Sequence, residues 1–540
     1  MTTPSSPKIA GTVAAPPTAV ARGRVIFVGT GPGDPDLLTL GAVAAIAEAA
    51  AVVLDSEQLR SVFDHPAVSV GPDTEIVVLP VQPNGKMLTP AQRAKQVLRL
   101  AQEGSRVVRL VAGDPFMDSG VADEAAACVR GGIDFEIVPG VSALTAVPEY
   151  AGISLANAGG LHFVSAPDRI VKSQAAQWAT QGTLVISTRA GLLVEAIEAA
   201  RASGRPADES CLVTYFGGST EQQTVAAELA DLTAAVESRA VETEIDPDEP
   251  AHLMIGPAVE QRDDLSWYET KPLFGWRVLV PRTKDQAGPM TNRLRTYGAH
   301  SEEVPTISVE PPRSPQQIDK AIRGLVEGRY EWVAFTSVNA VKAVREKLED
   351  YGLDARALSG LKVAAVGKVT GGALRDWGIE PDLIPTGEHS AAGLAAEWPP
   401  YDEVLDPINR VFLPRADIAT ETLSAGLAKL GWIVEDVTAY RTVRAAPPPA
   451  PTREAIKSGQ FDAVVFTSSS TVRNLVGIAG KPHATTVIAV IGPATARTCE
   501  EHGLRVDVMA PSPGALELAD ALASFAAERR DALVAAGEQV

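Results

Sequence analysis

Two stretches in the second half of the chain carry nearly the same succession of apolar and hydroxyl positions. Trp332-Val333-Ala334-Phe335-Thr336-Ser337 and Val464-Val465-Phe466-Thr467-Ser468 are each an apolar, β-branched run that ends on hydroxyls, and a valine, Val341 or Val472, follows six residues after the phenylalanine. Such runs predict strands buried on both faces, and the hydroxyls predict helix N-termini directly after them. A second match follows each: Val363-Ala364-Ala365-Val366-Gly367-Lys368-Val369-Thr370 and Val487-Ile488-Ala489-Val490-Ile491-Gly492-Pro493-Ala494-Thr495. In both, a Thr lies three residues after the Gly and another Gly, Gly378 or Gly503, lies eleven after it. Upstream, Val278-Leu279-Val280-Pro281-Arg282 matches Val411-Phe412-Leu413-Pro414-Arg415, and a helix-ending Gly (Gly298, Gly431) stands seventeen residues after each proline. The second half is therefore an internal duplication. Each copy reads strand, helix, strand, then strand, helix, strand, helix, which predicts parallel sheets covered on both faces. Sheets of this kind bind ligands beyond the carboxyl ends of their strands. Two similar lobes whose loops face a shared cleft are expected.

The first half opens on another buried-strand run, Arg24-Val25-Ile26-Phe27-Val28, which feeds Gly29-Thr30-Gly31-Pro32-Gly33-Asp34-Pro35-Asp36-Leu37-Leu38-Thr39-Leu40. The glycines permit positive φ and close approach of the backbone to a ligand. Asp34 is placed to cap a helix predicted over Leu38 to Ala50. A bare Gly-x-Gly after a strand is shared by dinucleotide and phosphate sites, but the dense run here carries more information.

Composition narrows the class. At 540 residues the chain is long enough for about three or four domain-sized units. A formal net charge of -19 argues against wholesale nucleic-acid binding, so an anionic ligand must be held by helix N-termini and a few Arg or Lys. Cys128, Cys211 and Cys499 are widely spaced without a CxxC and read as small buried residues, and no metal cluster is visible among the seven histidines. Residues 1–22, rich in Pro, Ser, Thr and Ala, read as a disordered tail without a signal pattern. The longest apolar stretch, Ala42 to Leu54, is interrupted by Glu48 and is too short for a bilayer, so no membrane partner and a cytoplasmic location are expected.

The glycine run resembles the opening motif of the tetrapyrrole C-methyltransferases, which bind S-adenosylmethionine. Val107-Val108-Arg109-Leu110 leading to Gly113-Asp114-Pro115-Phe116, then Phe135-Glu136-Ile137-Val138-Pro139-Gly140-Val141-Ser142-Ala143, Tyr150-Ala151-Gly152-Ile153, Gly217-Gly218-Ser219-Thr220-Glu221-Gln222-Gln223 and Ile255-Gly256-Pro257 fit in the same order. The resemblance covers about residues 24 to 262 and implies a two-subdomain α/β fold. It implies S-adenosylmethionine contacts at Gly29, Gly31, Pro32, Gly33, Asp34, Gly113, Asp114, Pro115, Ser142, Ala143 and Gly218. Departures fall on the substrate side. Leu54-Asp55-Ser56-Glu57-Gln58-Leu59 stands where that family has Tyr-Asp-x-Leu, which leaves Asp55 one place early or needs a gap. Met117-Asp118-Ser119-Gly120 replaces Phe-Gly-Arg-Gly, Ala156-Asn157-Ala158 replaces Thr-His-Arg, and Ser187-Thr188-Arg189 falls at Tyr-Met-Gly. Asp118 and Asp123 put negative charge where a polyanion would sit. The expectation is a degenerate domain that binds S-adenosylmethionine or packs without methylating.

The duplicated half resembles uroporphyrinogen-III synthase over about residues 276 to 528. The motifs are those given above together with Pro305-Thr306-Ile307 and Ala439-Tyr440-Arg441-Thr442. The resemblance implies two flavodoxin-like lobes that exchange their first strands across a two-strand hinge near Ile307 and Tyr440. It also implies cyclisation of hydroxymethylbilane to uroporphyrinogen III with inversion of ring D, without a cofactor. Tyr440 is then the general acid. Thr336, Ser337, Thr370, Thr467, Ser468, Thr495, Arg282 and Arg415 are substrate-binding candidates, with Lys368 a further one. For the threonines and serines the alternative is helix capping alone; for Tyr440, a core aromatic; for the arginines, surface ion pairs.

The domain reading is a tail at 1–22, a methyltransferase-like domain at 23–262, a linker at 263–275 whose Trp267, Tyr268 and Phe274 pack at a junction, a synthase domain at 276–528 and a C-terminal tail at 529–540. Lobe 1 comprises 276–308 and 445–528, and lobe 2 comprises 309–444. Ala445 to Pro451 is a stiff proline-rich connection. Three alternatives stay open: both halves are active in succession, the N-terminal domain is a non-catalytic sensor or homodimerisation module, or the lobes only bind a tetrapyrrole and close on it.

Overall fold

The computed structural model describes residues 23–537 apart from 83–87, 103–104, 158, 167–168, 180, 283 and 419–420. The tail expected at 1–22 lies outside the described residues. Two compact units emerge, one built mainly on the chain up to Trp276 and one on Arg277–Thr291 with Ser301–Leu522.

The first unit holds two sheets. Strands β1 (Arg24–Gly29), β2 (Ala51–Leu54), β3 (Glu75–Val78), β4 (Arg106–Val111) and β5 (Asp134–Val138) form a parallel sheet in the order β3-β2-β4-β1-β5. Its central strands alternate between two cores. Val25, Phe27, Val107 and Val111 enter one cluster, and Ile26, Val28, Val108 and Leu110 enter the other. That division is why these strands read as unbroken apolar runs. The second sheet comprises β6 (Leu161–Ser165), β7 (Thr183–Arg189), β8 (Ser210–Tyr215), β9 (Gln223–Glu228) and β10 (Pro250–Ile255) in the order β6-β7-β10-β8-β9. It is mixed: β6 and β7 are parallel, whereas β10 runs antiparallel to β7 and β8.

The helix expected at Leu38–Ala50 is shorter, Leu40–Ala47, and is preceded by a separate turn. Asp34 caps only a 3-10 turn, Pro35–Leu37, and Thr39 accepts from Ala42 N to start the helix Leu40–Ala47. Pro35 sets the turn and the chain re-extends at Leu38 before the second cap. The stretch expected as a linker holds a short helix, Arg262–Leu265, and then an aromatic cluster. Tyr150 lies against Trp267 and Tyr268 with ring centroids 5.2 and 4.6 Å apart, and Tyr268 meets Phe274 at 5.6 Å.

The second unit is a pair of lobes. Strands β11 (Arg277–Val280), β12 (His300–Glu303), β13 (Ile307–Glu310), β14 (Trp332–Phe335), β15 (Lys362–Ala365), β16 (Arg410–Ala416), β17 (Ile433–Arg444), β18 (Ala463–Phe466), β19 (Val487–Val490) and β20 (Val508–Met509) form two sheets. Their orders are β12-β11-β18-β19-β20 and β13-β17-β16-β14-β15. Each sheet thus joins the first part of one copy to the second part of the other, in the same register. Leu279 pairs with Val464 as Phe412 pairs with Val333. Strand β14 again divides its residues, Val333 and Phe335 to one core and Trp332 and Ala334 to another.

Gly298 (92°) and Gly431 (91°), expected to end helices, do so with positive φ, and the repeated Gly378 (89°) and Gly503 (70°) do the same. In every case the amide after the glycine reaches back five residues, as from Ile379 to Leu374 and from Leu504 to Cys499, closing the helix with a Schellman turn.

Two boundaries move. Ile307 and Ser308, read as the end of lobe 1, belong to β13, which pairs antiparallel with Arg444 and Val443 of β17 in the other sheet. The chain therefore crosses between lobes just before Ile307, and Ala445 N donates to Thr306 O beside it, making a hinge of two adjacent crossings. Of the tail expected at 529–540, residues 529–536 belong to the last helix, Ala515–Ala536, and 538–540 lie outside the described residues. Among the described residues no helix is long and apolar enough to cross a membrane.

Candidate functional site

In the second unit, two neighbouring strands of each sheet end at helix N-termini. Ser337 caps the helix Val338–Asp350 by accepting from Ala340 N at 3.1 Å, and Ser468 caps Ser469–Ala479 by accepting from Thr471 N at 3.3 Å. The adjacent helices Lys368–Asp376 and Pro493–Glu501 start at Gly367 and Gly492, both extended and both without a capping side chain. A Cβ on Gly492 would meet nothing within 4 Å. The early amides of these helices, Lys368 and Val369 in one and Ala494 in the other, where Pro493 has no N–H, meet no capping side chain and can face an anion, which is the local positive potential that an acidic protein needs.

The residue that joins these caps to chemistry is Tyr440. Its hydroxyl lies 2.9 Å from Ser337 Oγ, although the two residues are 103 apart in sequence. The ring packs in the core formed by Phe335, Phe412, Val437 and Ala439 and is only 6% exposed, so the phenol is held rigidly. Because Ser337 Oγ already accepts from Ala340 N, the phenol oxygen sits one hydrogen bond from a helix N-terminus.

The other candidates divide. Thr336 follows β14 half-buried, whereas Thr467 is buried and its hydroxyl has no hydrogen-bonding partner among the described residues. Thr370 and Thr495 are buried within the first turns of their helices, and Lys368 is exposed. Arg282 follows β11, and burial lowers its pKa. Arg415 is ion-paired with Asp436 on the neighbouring strand, so its guanidinium already has a carboxylate partner.

In the first unit the structure draws the expected cofactor residues together at the carboxyl edge of the parallel sheet. Gly31 N donates to Gly113 O at 3.2 Å and Gly113 N to Gly31 O at 2.8 Å, tying the first two loops together. A Cβ on Gly140 would lie 2.9 Å from Gly29 Cα and inside contact distance of Gly113 O, so three backbones meet where only glycines fit. Gly140→Ala is expected to force these loops apart and destabilise the first unit by about 1–3 kcal/mol, read as a shift of its unfolding transition in urea. Pro32 and Gly33 reach Gly217 and Gly218 on the loop after β8, where hypothetical Cβ atoms would stand 3.2 to 3.3 Å from their neighbours. Ser142 caps the helix Ala143–Tyr150, and Asp34 accepts from Tyr150 Oη at 2.8 Å.

Two expectations about charge are corrected. Asp118 does not face outward as a repulsive group: it accepts from Asp114 N, Ala143 N and Ser142 Oγ, and burial raises its pKa. Asp114 likewise spends its carboxylate on Phe116 N, Met117 N and Gly140 N, with Pro115 buried beside it. Nor is Asp55 out of place. It follows β2 directly and is ion-paired with Arg109, a guanidinium with no exposed side-chain surface. Arg109 also binds Glu124 at 3.1 Å, and Glu124 binds Arg93 at 2.7 Å. Burial by itself would lower the Arg109 pKa, but Asp55 and Glu124 raise it. Sequence reasoning placed Arg109 in a motif and missed this network, whose partners lie 54 and 15 residues away.

Comparison with known proteins fits this geometry. Residues 288–520 match the family of uroporphyrinogen-III synthase HemD, and residues 24–233 match the tetrapyrrole (corrin/porphyrin) methylases. A uroporphyrinogen-III synthase of Synechococcus elongatus is 31% identical over 253 residues, which is 44% of this chain and 91% of that protein. An S-adenosyl-L-methionine-dependent uroporphyrinogen III methyltransferase of Methanosarcina barkeri is 30% identical over 256 residues, 46% of this chain and 96% of that protein. The chain belongs to both families: it joins a tetrapyrrole methylase domain to a uroporphyrinogen-III synthase domain. The porphyrin biosynthesis protein HemD of Ruminiclostridium josui is 27% identical over 497 residues, 89% of this chain and 94% of that protein, so the similarity runs through both domains of this chain. In the synthase domain Ser337 and Tyr440 meet at the edge of one lobe and Ser468 caps the equivalent strand end of the other, and in the methylase domain the glycine loops and the Asp55–Arg109 pair occupy one sheet edge.

Proposed function

We propose that the synthase domain cyclises hydroxymethylbilane to uroporphyrinogen III, and that the methylase domain binds S-adenosylmethionine without being required for that reaction. The observation that carries the first part is the Ser337–Tyr440 hydrogen bond at a helix N-terminus. The substrate is a linear tetrapyrrole with eight carboxylates and a terminal hydroxymethyl group. Loss of the hydroxyl gives an azafulvene that ring D attacks to form a spiro intermediate, which fragments and recloses with that ring inverted. The same substrate closes without inversion in water, so the protein has two tasks: to protonate the departing hydroxyl and to hold the chain in the inverting geometry. Tyr440 Oη is the acid. The amides after Gly367 and Gly492 and the caps at Ser337 and Ser468 take the carboxylates.

In the methylase domain the converging glycine backbones fit a nucleoside amino acid that must lie close against main chain, with Gly31, Gly33, Gly113 and Gly218 in the loops that hold it. When bound, S-adenosylmethionine supplies an electrophilic methyl group. Asp55 favours a second reading in which both halves work in succession. Its side chain is 21% exposed at the same sheet edge and is held by Arg109, and in this reading it takes the proton released on C-methylation. The deciding experiment gives the purified chain freshly made hydroxymethylbilane with S-adenosylmethionine and reads isomer and mass after oxidation. Unmethylated type III product supports the first reading, type III product with added methyls supports the second, and type I product alone overturns the synthase assignment.

A further inference from the structure

Strand β17 is twelve residues long and serves two partners. From Ile433 to Tyr440 it runs parallel to β16, and from Arg441 to Arg444 it pairs antiparallel with β13. Tyr440 is therefore the last residue of the first pairing. In the alignment of the two copies that sets Pro281 on Pro414 and Gly298 on Gly431, Tyr440 falls on Ile307. There the first copy has no through-running strand, because β12 ends at Glu303 and β13 starts at Ile307 in the other sheet.

The register of β17 slips just before the tyrosine. Arg415 pairs with Thr438, but Ala416 pairs with Tyr440, so Ala439 is an extra residue and the strand carries a β-bulge. Side chains on a regular strand alternate between the two faces. Val437 and Ala439 enter the core that also takes Val341 and Val344 of the helix Val338–Asp350. Without the bulge, Tyr440 would point to the opposite face, with Thr438. With it, Val437, Ala439 and Tyr440 all enter the one core, and the phenol reaches Ser337 at the start of that helix. A one-residue slip moves the following side chain across the sheet, and here it delivers a hydroxyl to a helix cap.

A bulge interrupts the ladder, so the main chain around it needs other partners. Asp417, the residue after β16, supplies two. Its N–H donates to Tyr440 O at 3.2 Å, and its Oδ1 accepts from Thr442 N at 3.3 Å. The side chain of Asp417 is exposed and fills no core, so what it contributes is the path of the main chain on either side of Arg441.

We propose that the Ala439 bulge and the Asp417 clamp together set Tyr440 Oη on Ser337 Oγ, and that Asp417 is a positioning residue for the protonation step. This rests on the reading of Tyr440 as the acid. Asp417 acts through the main chain of β17 and takes no part in the proton transfer itself.

The test measures initial rate and isomer ratio from freshly made hydroxymethylbilane for the full-length chain, Asp417→Ala, Asp417→Asn, Tyr440→Phe, and Asp417→Ala combined with Tyr440→Phe. Asp417→Ala is expected to lower type III formation on the order of fivefold, the worth of one hydrogen bond, and to raise the share of type I, with KM little changed. Asp417→Asn keeps Oδ1 as an acceptor and should stay within about twofold of the unaltered rate. In the Tyr440→Phe background, Asp417→Ala should cost less than about twofold, because no phenol is left to aim. Deletion of Ala439 returns β17 to a regular register and should cost as much as Tyr440→Phe. An Asp417→Ala protein with the unaltered rate and isomer ratio overturns the inference. An equal loss from Asp417→Ala in both backgrounds overturns it too, since Asp417 would then support only the fold. A folded Ala439-deletion protein that keeps the type III rate does the same, and the Asp417 comparison holds whether or not that variant folds. If Tyr440→Phe leaves the rate intact, the reading of Tyr440 falls and this inference falls with it.

Discussion

Tyr440→Phe is expected to lower the rate of uroporphyrinogen III formation on the order of 100-fold and to move the product mixture towards the type I isomer. The isomer shifts as well as the rate because uninverted ring closure proceeds in water and takes over once protonation of the leaving hydroxyl is slow. Tyr440 is well suited to this test. Its ring packs among Phe335, Phe412, Val437 and Ala439, and phenylalanine keeps that packing, so the fold is left in place. What is removed is one oxygen, bonded to Ser337 Oγ. Ser337→Ala should lower the rate less, about tenfold, while also costing about 1 kcal/mol through the lost helix cap. Ser337→Thr, which keeps the hydroxyl, should restore both. Separation of the oxidised porphyrin isomers at early times gives rate and isomer ratio together. A Tyr440→Phe protein that forms type III product within threefold of the normal rate would show that the tyrosine is only a core aromatic.

The caps and the tyrosine differ in how they are written in the chain. Phe335-Thr336-Ser337 and Phe466-Thr467-Ser468 announce a strand, its end and a cap within a few neighbouring residues, so local periodicity suffices to find them. The helix-ending glycines are legible for the same reason, since positive φ at Gly298 or Gly431 is a property of that residue alone. The exchange of strands is different. That Val278 lies beside Ala463, 185 residues on, follows from no local pattern and came only through resemblance to a family. Resemblance also fixed attention on the wrong carboxylates. Asp118 looked like a charge in the path of a polyanion, because its amide partners, Ala143 and Asp114, are main-chain groups that leave no mark in the sequence.

Arg109→Met is expected to cost the methylase domain about 3–5 kcal/mol, the largest stability effect of any single change considered. Glu124 has no exposed side-chain surface, and its carboxylate is shared between Arg109 and Arg93. Removing the Arg109 guanidinium leaves two acids, Asp55 and Glu124, facing one remaining cation, Arg93. The side chain of Asp55 is 21% exposed and can turn to water, but Glu124 cannot. Glu124 keeps Arg93 but loses its second cation, and this partly compensated burial is what the variant measures. The double variant Arg109→Met with Glu124→Leu removes the stranded charge and should recover most of the loss, since a buried pair replaced by apolar residues of similar size is often neutral. Arg93 keeps 14% side-chain exposure and a hydrogen bond to Leu88 O, so it tolerates losing Glu124. Urea unfolding of the full chain is expected to show separate transitions for the two domains, and only the methylase transition should move. Type III product formation should stay at its normal rate, because the synthase reaction as argued uses no group of the first unit. A shift of less than about 1 kcal/mol for Arg109→Met would mean that water reaches the pair as it reaches a surface ion pair, and the role given to Arg109 in fixing Asp55 at the cofactor edge would have to be abandoned.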